Sequence, residues 1–181
     1  MSKIIPNIIK ENVNKALSFY PELSDISIAF KIKKNIKKST MQAQPKWNFL
    51  WKKRRKKSYI ILISNKFKIE NQEFNTLDIP SDVFIGWIGH ELGHIMDYEN
   101  RSKLNLIFFG IKYLFSHKSI KEAERTADTF AVAHGMAKYI LATKDFILNN
   151  ASIAQHYKAR IIKYYLSPEE IMELVNQQSL P

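Results

Sequence analysis

The sequence predicts an α+β domain, with a small mixed sheet in the first part of the chain and helices from there to the end. Three observations carry this. Short stretches of β-branched and aromatic residues, some alternating apolar and polar, cluster before residue 65. Helix-start signals recur from Ser81 onward, with Ser/Glu or Ser/Gln three residues apart at Ser119/Glu122, Ser152/Gln155 and Ser167/Glu170. The 181 residues suffice for one sizeable core and contain no internal repeat. The expected organisation is a single domain over residues 1–181, sheet-rich in 1–79 and helical in 81–178.

Taken in order, Ile8 to Tyr20 places Ile8, Ile9, Val13, Ala16, Leu17 and Tyr20 at helical spacing, and Pro21 ends that helix. Ile26 to Lys34 alternates, with Ile28, Phe30 and Ile32 on one face, which predicts a half-buried strand. Thr40 to Gln44 reads as a second short strand closed by Pro45. Ser58 to Ser64 is the strongest strand, dominated by isoleucine, leucine and tyrosine. Residues 66–79 read as loop, with room for a hairpin. Pro80, Ser81 and Asp82 then supply a breaker, an N-cap and a negative charge for a helix dipole. Leu104 to Phe115 is the longest apolar run, interrupted by Asn105 and Lys112. It falls short of the ~20 residues that span a bilayer, which predicts a buried or interfacial helix. Ser119 with Glu122 predicts a helix starting near Ile120, and two more are expected over 153–166 and 168–177, the last with Pro168 at its first position.

Composition narrows the chemistry. With no cysteine, disulfides and thiolate metal sites are excluded, so a bound metal must use histidine and carboxylate. The N-terminus lacks the apolar core of a signal peptide, and a cytoplasmic protein is the expectation. The net charge is +11, and its densest part is the run Lys52–Lys57, flanked by Trp47, Phe49, Trp51 and Tyr59. Such a run can meet nucleic acid or an anionic membrane. Its shortness and its place between two expected strands argue for a solvated loop and against a nucleic-acid partner. Peripheral membrane contact stays open.

The most telling stretch is His90-Glu91-Leu92-Gly93-His94. Residues four apart share a helix face, so His90 and His94 can grip one metal ion, with Glu91 beside them to take a proton from water. A catalytic site wants a third protein ligand and one open position. Glu124 is the best candidate, since Glu122 is assigned to the cap, with Glu99 and Glu122 next in line. Asp128, four residues after Glu124, would accept from one ligand histidine and orient it. Glu124 and Asp128 taken by themselves also fit a solvated acidic face. Only five glycines occur in the chain, and Gly86, Gly89 and Gly93 all fall in this helix. Each costs about 1 kcal/mol relative to alanine, so the stripe predicts close approach by the Glu124 helix or by a strand.

On these residues the chain resembles the gluzincin zinc peptidases, which pair HExxH with a glutamate on a later helix. Glu124-Arg125-Thr126-Ala127-Asp128 is similar to the E-x-x-A-D form of HtpX-type and CAAX-protease-type members and of compact minigluzincins. The resemblance covers residues 81–135 and, unlike HtpX-type enzymes, this chain shows no comparable membrane spans. It implies a zincin-like fold and one Zn2+ per chain held by His90, His94 and Glu124. It further implies Glu91 as general base, support from Asp128, and peptide-bond hydrolysis, endopeptidase rather than exopeptidase. A peptide or protein substrate would pair with an exposed strand edge that the sequence does not identify. His156, Tyr157 and Arg160 fall where related enzymes carry an oxyanion-stabilising group. A second reading is a non-proteolytic zinc-binding module that docks on an anionic membrane or nucleic acid through its basic loop. Substrate, self-inhibition and oligomeric state are not encoded legibly.

Overall fold

The strand Ser58–Ser64 is apolar on both faces because it lies inside a sheet. Four strands form that sheet, β1 (Lys3–Ile4), β2 (Ser27–Lys33), β3 (Met41–Pro45) and β4 (Ser58–Ser64), in the order β1-β2-β4-β3. β2 runs parallel to both β1 and β4, while β3 is antiparallel to β4, pairing Ala43 with Ile61. The computed structural model describes residues 3–34, 36, 39–46, 57–69, 72–149, 153 and 155–179. Of the basic run only Lys57 falls among them, and Ser152 lies outside.

β3 is an outer strand. Ser64 N–H donates to the Thr40 carbonyl and Lys46 N–H to that of Ser58, at 2.9 and 2.7 Å. Even-numbered residues therefore pair inward, and Met41, Ala43 and Pro45 turn their backbone groups to the open edge. Pro45 has no N–H to lose there. Residues 66–75 form the hairpin for which the sequence left room: β5 (Lys66–Ile69) and β6 (Gln72–Asn75) pair antiparallel.

The first helix is α1 (Lys10–Leu17), entered through a 3-10 turn at Asn7–Ile9. The helical half holds six more: α2 (Ser81–Glu99), α3 (Lys103–Phe115), α4 (His117–Ala133), α5 (Ala137–Asn149), α6 (Gln155–Tyr164) and α7 (Pro168–Gln178). The architecture is thus α+β, as the sequence predicts. α2 is the hub and touches α1, α4, α5 and β3. Ile88, Leu92 and Ile95 of α2 join Val13, Ile28, Phe30, Ile61, Ala131 and Met136 in one core. Lys57 closes the far end of α2 by donating to the carbonyls of Tyr98, Glu99 and Arg101 at 2.6, 3.0 and 2.6 Å. A cation at a helix C-terminus is favoured by the helix dipole.

The glycine stripe has two helical neighbours rather than one. A Cβ on Gly93 would strike the Ala127 backbone of α4, and one on Gly86 the Tyr139 carbonyl of α5. Gly89 faces the Met136 side chain in the turn between those helices.

Three expectations need correction. Ser81 does not cap α2: it is the first helical residue, behind Pro80, and its hydroxyl bonds Asn12 Oδ1 at 2.7 Å. Asp82 keeps its place in the first turn and pairs with Lys138 at 3.0 Å. The Ser119/Glu122 box is not used, because α4 starts one turn earlier with Ser116 accepting from Ser119 N–H. The extra turn is held by His117, whose Nδ1 meets the Tyr164 hydroxyl at 2.6 Å while the rings stack. Finally, of the two positions expected for Leu104–Phe115, buried or interfacial, the buried one does not hold, since of the apolar residues of α3 only Leu106 is buried. Among the described residues no helix is long and apolar enough to cross a membrane. The Ser167/Glu170 box forms with both reciprocal hydrogen bonds and Pro168 in the first turn.

Candidate metal centre

Helical spacing puts His90 and His94 on one face of α2, and close contact between α2 and α4 brings Glu124 against them. His90 Nε2 lies 3.0 Å and His94 Nε2 3.4 Å from Glu124 Oε2. Ligand atoms of these three residues all fall within 4.8 Å of one another, so His90, His94 and Glu124 are placed to hold a metal ion. The separations suit one: tetrahedral donors at ~2.1 Å from zinc lie roughly 3.4 Å apart.

The surroundings prepare this set. His90 Nδ1 meets Asp128 Oδ1 at 2.8 Å, an acceptor that holds a proton on Nδ1 and leaves Nε2 as the nitrogen that can take a metal ion in place of its own proton. Asp128 is fully buried, and its other oxygen accepts from Lys144 Nζ at 2.8 Å and from Leu166 N–H at 3.1 Å. Burial opposes ionisation of Asp128, but the Lys144 charge and the bond to His90 outweigh it and hold its pKa below the ordinary value. Burial likewise opposes ionisation of Glu124, yet the two imidazoles keep its carboxyl well below the usual range. Burial works against protonation of His90, whereas hydrogen bonds to Asp128 and Glu124 and their negative charges push its pKa up to about 10. The pocket is therefore built to hold positive charge between two carboxylates. Tyr113 of α3 donates to Glu124 Oε1 at 2.6 Å, which fixes the ligand from its far side. His94 is less supported: its Nδ1 is buried with no partner among the described residues. Its ring is located by a stack on Tyr98 and an edge contact with His90.

Glu91 lies beside the triad and faces β3, where its Oε2 accepts from Ala43 N–H at 2.6 Å. Burial raises its pKa above the ordinary carboxylate value, while the neighbouring histidines pull the other way. A carboxylate tuned upward is a better base near neutral pH. A cleft of about 430 Å³ opens over Glu91, His94 and Glu124, bounded by β3 on one side and the inner edge of α3 on the other. Tyr157 and Arg160 line it, whereas His156 is exposed and does not.

The remaining acidic and imidazole groups lie elsewhere. Glu99 accepts from the Tyr59 hydroxyl, Asp97 pairs with Arg101 at 2.8 Å, and Glu122 faces Lys118 in solvent. His134 stacks on Tyr20 and bonds the Phe130 carbonyl.

Three supporting residues escape a reading of the sequence: Lys144, Tyr113 and Tyr165, whose ring packs on His90 with centroids 5.4 Å apart. Lys144 had a signal, because it shares the buried face of α5 with Ile140 and Ile147, four residues before it and three after. A lysine on a core face needs an internal partner. Tyr113 and Tyr165 had none, as nothing local distinguishes a ligand-orienting tyrosine from a packing one.

Comparison with protein families, with curated proteins and with solved structures finds no match to this chain.

Proposed function

We propose that this protein is a zinc-dependent peptidase of gluzincin type, with Glu91 as general base. The observation that carries the reading is the convergence of His90, His94 and Glu124 next to a buried, upward-shifted Glu91 at the floor of an open cleft. Two imidazoles and one carboxylate with no thiolate favour zinc among the divalent ions. Zinc bound by His90, His94 and Glu124 would supply Lewis acidity to a carbonyl and to water. Glu91 would act as the base, holding a proton taken from the attacking water and returning it to the leaving amine. Its bond from Ala43 N–H keeps one carboxylate oxygen occupied and limits how far the side chain can swing.

The open edge of β3 supports a peptide substrate. An extended segment can pair with the outward carbonyls of Ala43 and Pro45, the Ala43 N–H being held by Glu91, as an added strand does. Pairing along a strand presents an internal bond to the site, which favours an endopeptidase. Tyr157 and Arg160, on the cleft wall, are the donors best situated for a developing oxyanion. Burial raises the Tyr157 pKa and keeps its hydroxyl a donor.

Metal content and peptide-library cleavage test this together. Wild type should carry one zinc, Glu124→Ala should lose it, and Glu91→Gln should keep it while hydrolysis falls roughly 10²–10⁴-fold. A wild type that stays empty in added zinc would overturn the metal assignment. Unchanged hydrolysis by Glu91→Gln would overturn the base. Bound zinc with no cleavage of any library peptide would leave a binding module instead.

A further inference from the structure

We propose that a second, smaller cavity beside Glu91 takes the side chain of a substrate residue flanking the cut bond and selects serine or threonine there. This deepens the peptidase reading and rests on it. The cavity holds about 70 Å³ and adjoins the main cleft, since Met41, Glu91, Tyr157 and Tyr165 border both spaces. From that shared wall it extends to Asp128, Thr143 and Lys144, with Trp87 and Ile147 on its apolar side. Successive side chains of an extended segment point to opposite faces, so a peptide on the edge of β3 can turn one flanking residue toward this cavity.

Size sets the first limit. At roughly 30 Å³ for a water-sized group, such a space takes about two or three heavy atoms. Serine and threonine fit, whereas leucine and phenylalanine do not. Polarity sets the second. Lys144 is 4% exposed and its ammonium carries three donors. One goes to Asp128 Oδ2 at 2.8 Å, and the group lies 4.4 Å from the centroid of the Tyr165 ring, which leaves capacity for a ligand. Thr143 beside it is also buried and donates its hydroxyl proton to the Ile140 carbonyl at 2.7 Å, so toward a ligand its oxygen accepts. Its methyl group is wedged against Gly86, where an added Cβ would come within 2.5 Å, and this fixes the rotamer. A donor next to an acceptor matches a hydroxyl, which is both. A carboxylate is disfavoured, because it is larger, Asp128 already matches the Lys144 charge and Glu91 stands on the same wall.

The test is calorimetric titration of the zinc-loaded full chain with the hydroxamates of serine, threonine, alanine, aspartate and leucine. The hydroxamate grips the metal, and each probe is small enough to seat its side chain on either side of it. Serine and threonine should bind about tenfold tighter than alanine, as one hydrogen bond to a charged group gives, and leucine should bind more weakly than alanine. Thr143→Val keeps the side-chain shape and should bring the serine-to-alanine ratio toward one. Ile147→Val removes one methyl group from the wall and should narrow the gap between alanine and leucine. Equal affinity for serine and alanine in wild type, or aspartate tighter than serine, would overturn the proposal and leave the cavity to water or another side chain. Hydroxyl selection without cleavage of any library peptide would keep the pocket and overturn the peptidase reading. Cleavage with no preference for serine or threonine at either flanking residue would do the reverse, and a chain that takes up no zinc would overturn both.

Discussion

Replacing Gly93 by alanine tests whether the metal centre depends on contact between the backbones of α2 and α4. The added Cβ would sit 2.3 Å from the Ala127 carbonyl oxygen and 3.0 Å from its carbonyl carbon. That is about 1 Å inside ordinary contact, and the obstacle is backbone, which cannot swing aside. Overpacking of this kind costs typically 1–3 kcal/mol, against which alanine returns about 1 kcal/mol of helix propensity. The net loss should be up to about 2 kcal/mol, or a fall in melting temperature of up to roughly 8 °C for a chain of this size. Ala127 lies one turn from Glu124 and adjoins Asp128, so a 1 Å displacement of α4 misplaces one ligand and the acceptor on His90. Zinc affinity, measured by competition with a chromophoric chelator, should fall by about tenfold or more, as it does when groups supporting a ligand are disturbed. Gly110→Ala is the control. Its Cβ would meet nothing within 4 Å, so it should raise the melting temperature slightly and leave zinc affinity alone. If Gly93→Ala melts and binds zinc like Gly110→Ala, the close approach is not what assembles the site.

Two further predictions follow from the buried and half-buried ion pairs. Lys144→Met leaves Asp128 charged and buried without its cation, which should cost about 3–5 kcal/mol, and Lys144→Met with Asp128→Asn should recover much of that. A melting temperature unchanged in Lys144→Met would show that Lys144 contributes nothing to the site. Glu170, held by Arg125 and by its capping bond, has its pKa lowered to about 2 in the folded chain. A depressed pKa contributes stability above the ordinary value near 4.5 that is lost as pH falls through about 2. The pair is more than a third exposed on the Glu170 side, so solvent screening limits this to about 1 kcal/mol or less. Urea midpoints of wild type and Glu170→Gln should therefore differ at pH 6 and converge toward pH 2, with glutamine preserving the cap. A difference that persists at pH 2 would mean that charge is not its source.

Much of the fold and site is readable where the signal is local. Ser58–Ser64 is a strand in both accounts because its composition leaves a helix no polar face. The Ser167/Glu170 box works because both partners lie within one turn. His90 and His94 share a face by helical geometry, whatever surrounds them. Reading fails where a choice between equivalent local signals is made by a distant residue. Ser116 and Ser119 are both able to cap α4, and Tyr164 settles the start by holding His117. Ser81 has the chemistry of a cap, yet its hydroxyl is drawn to Asn12, 69 residues away.

What the sequence by itself determined is the set of donors and their order: two imidazoles and a carboxylate on one helix, carboxylates four apart on another, and no thiol to compete. Spacing along a helix is a property of the chain, so these assignments needed no third dimension. Only the tertiary structure decided which carboxylate meets the histidines, because Glu99, Glu122 and Glu124 differ in what packs against them rather than in their own chemistry. It also placed Lys144 under Asp128, Tyr113 on Glu124 and the free edge of β3 over Glu91. Each of these is a contact between segments far apart in the chain, fixed by how closely helices and strand can approach.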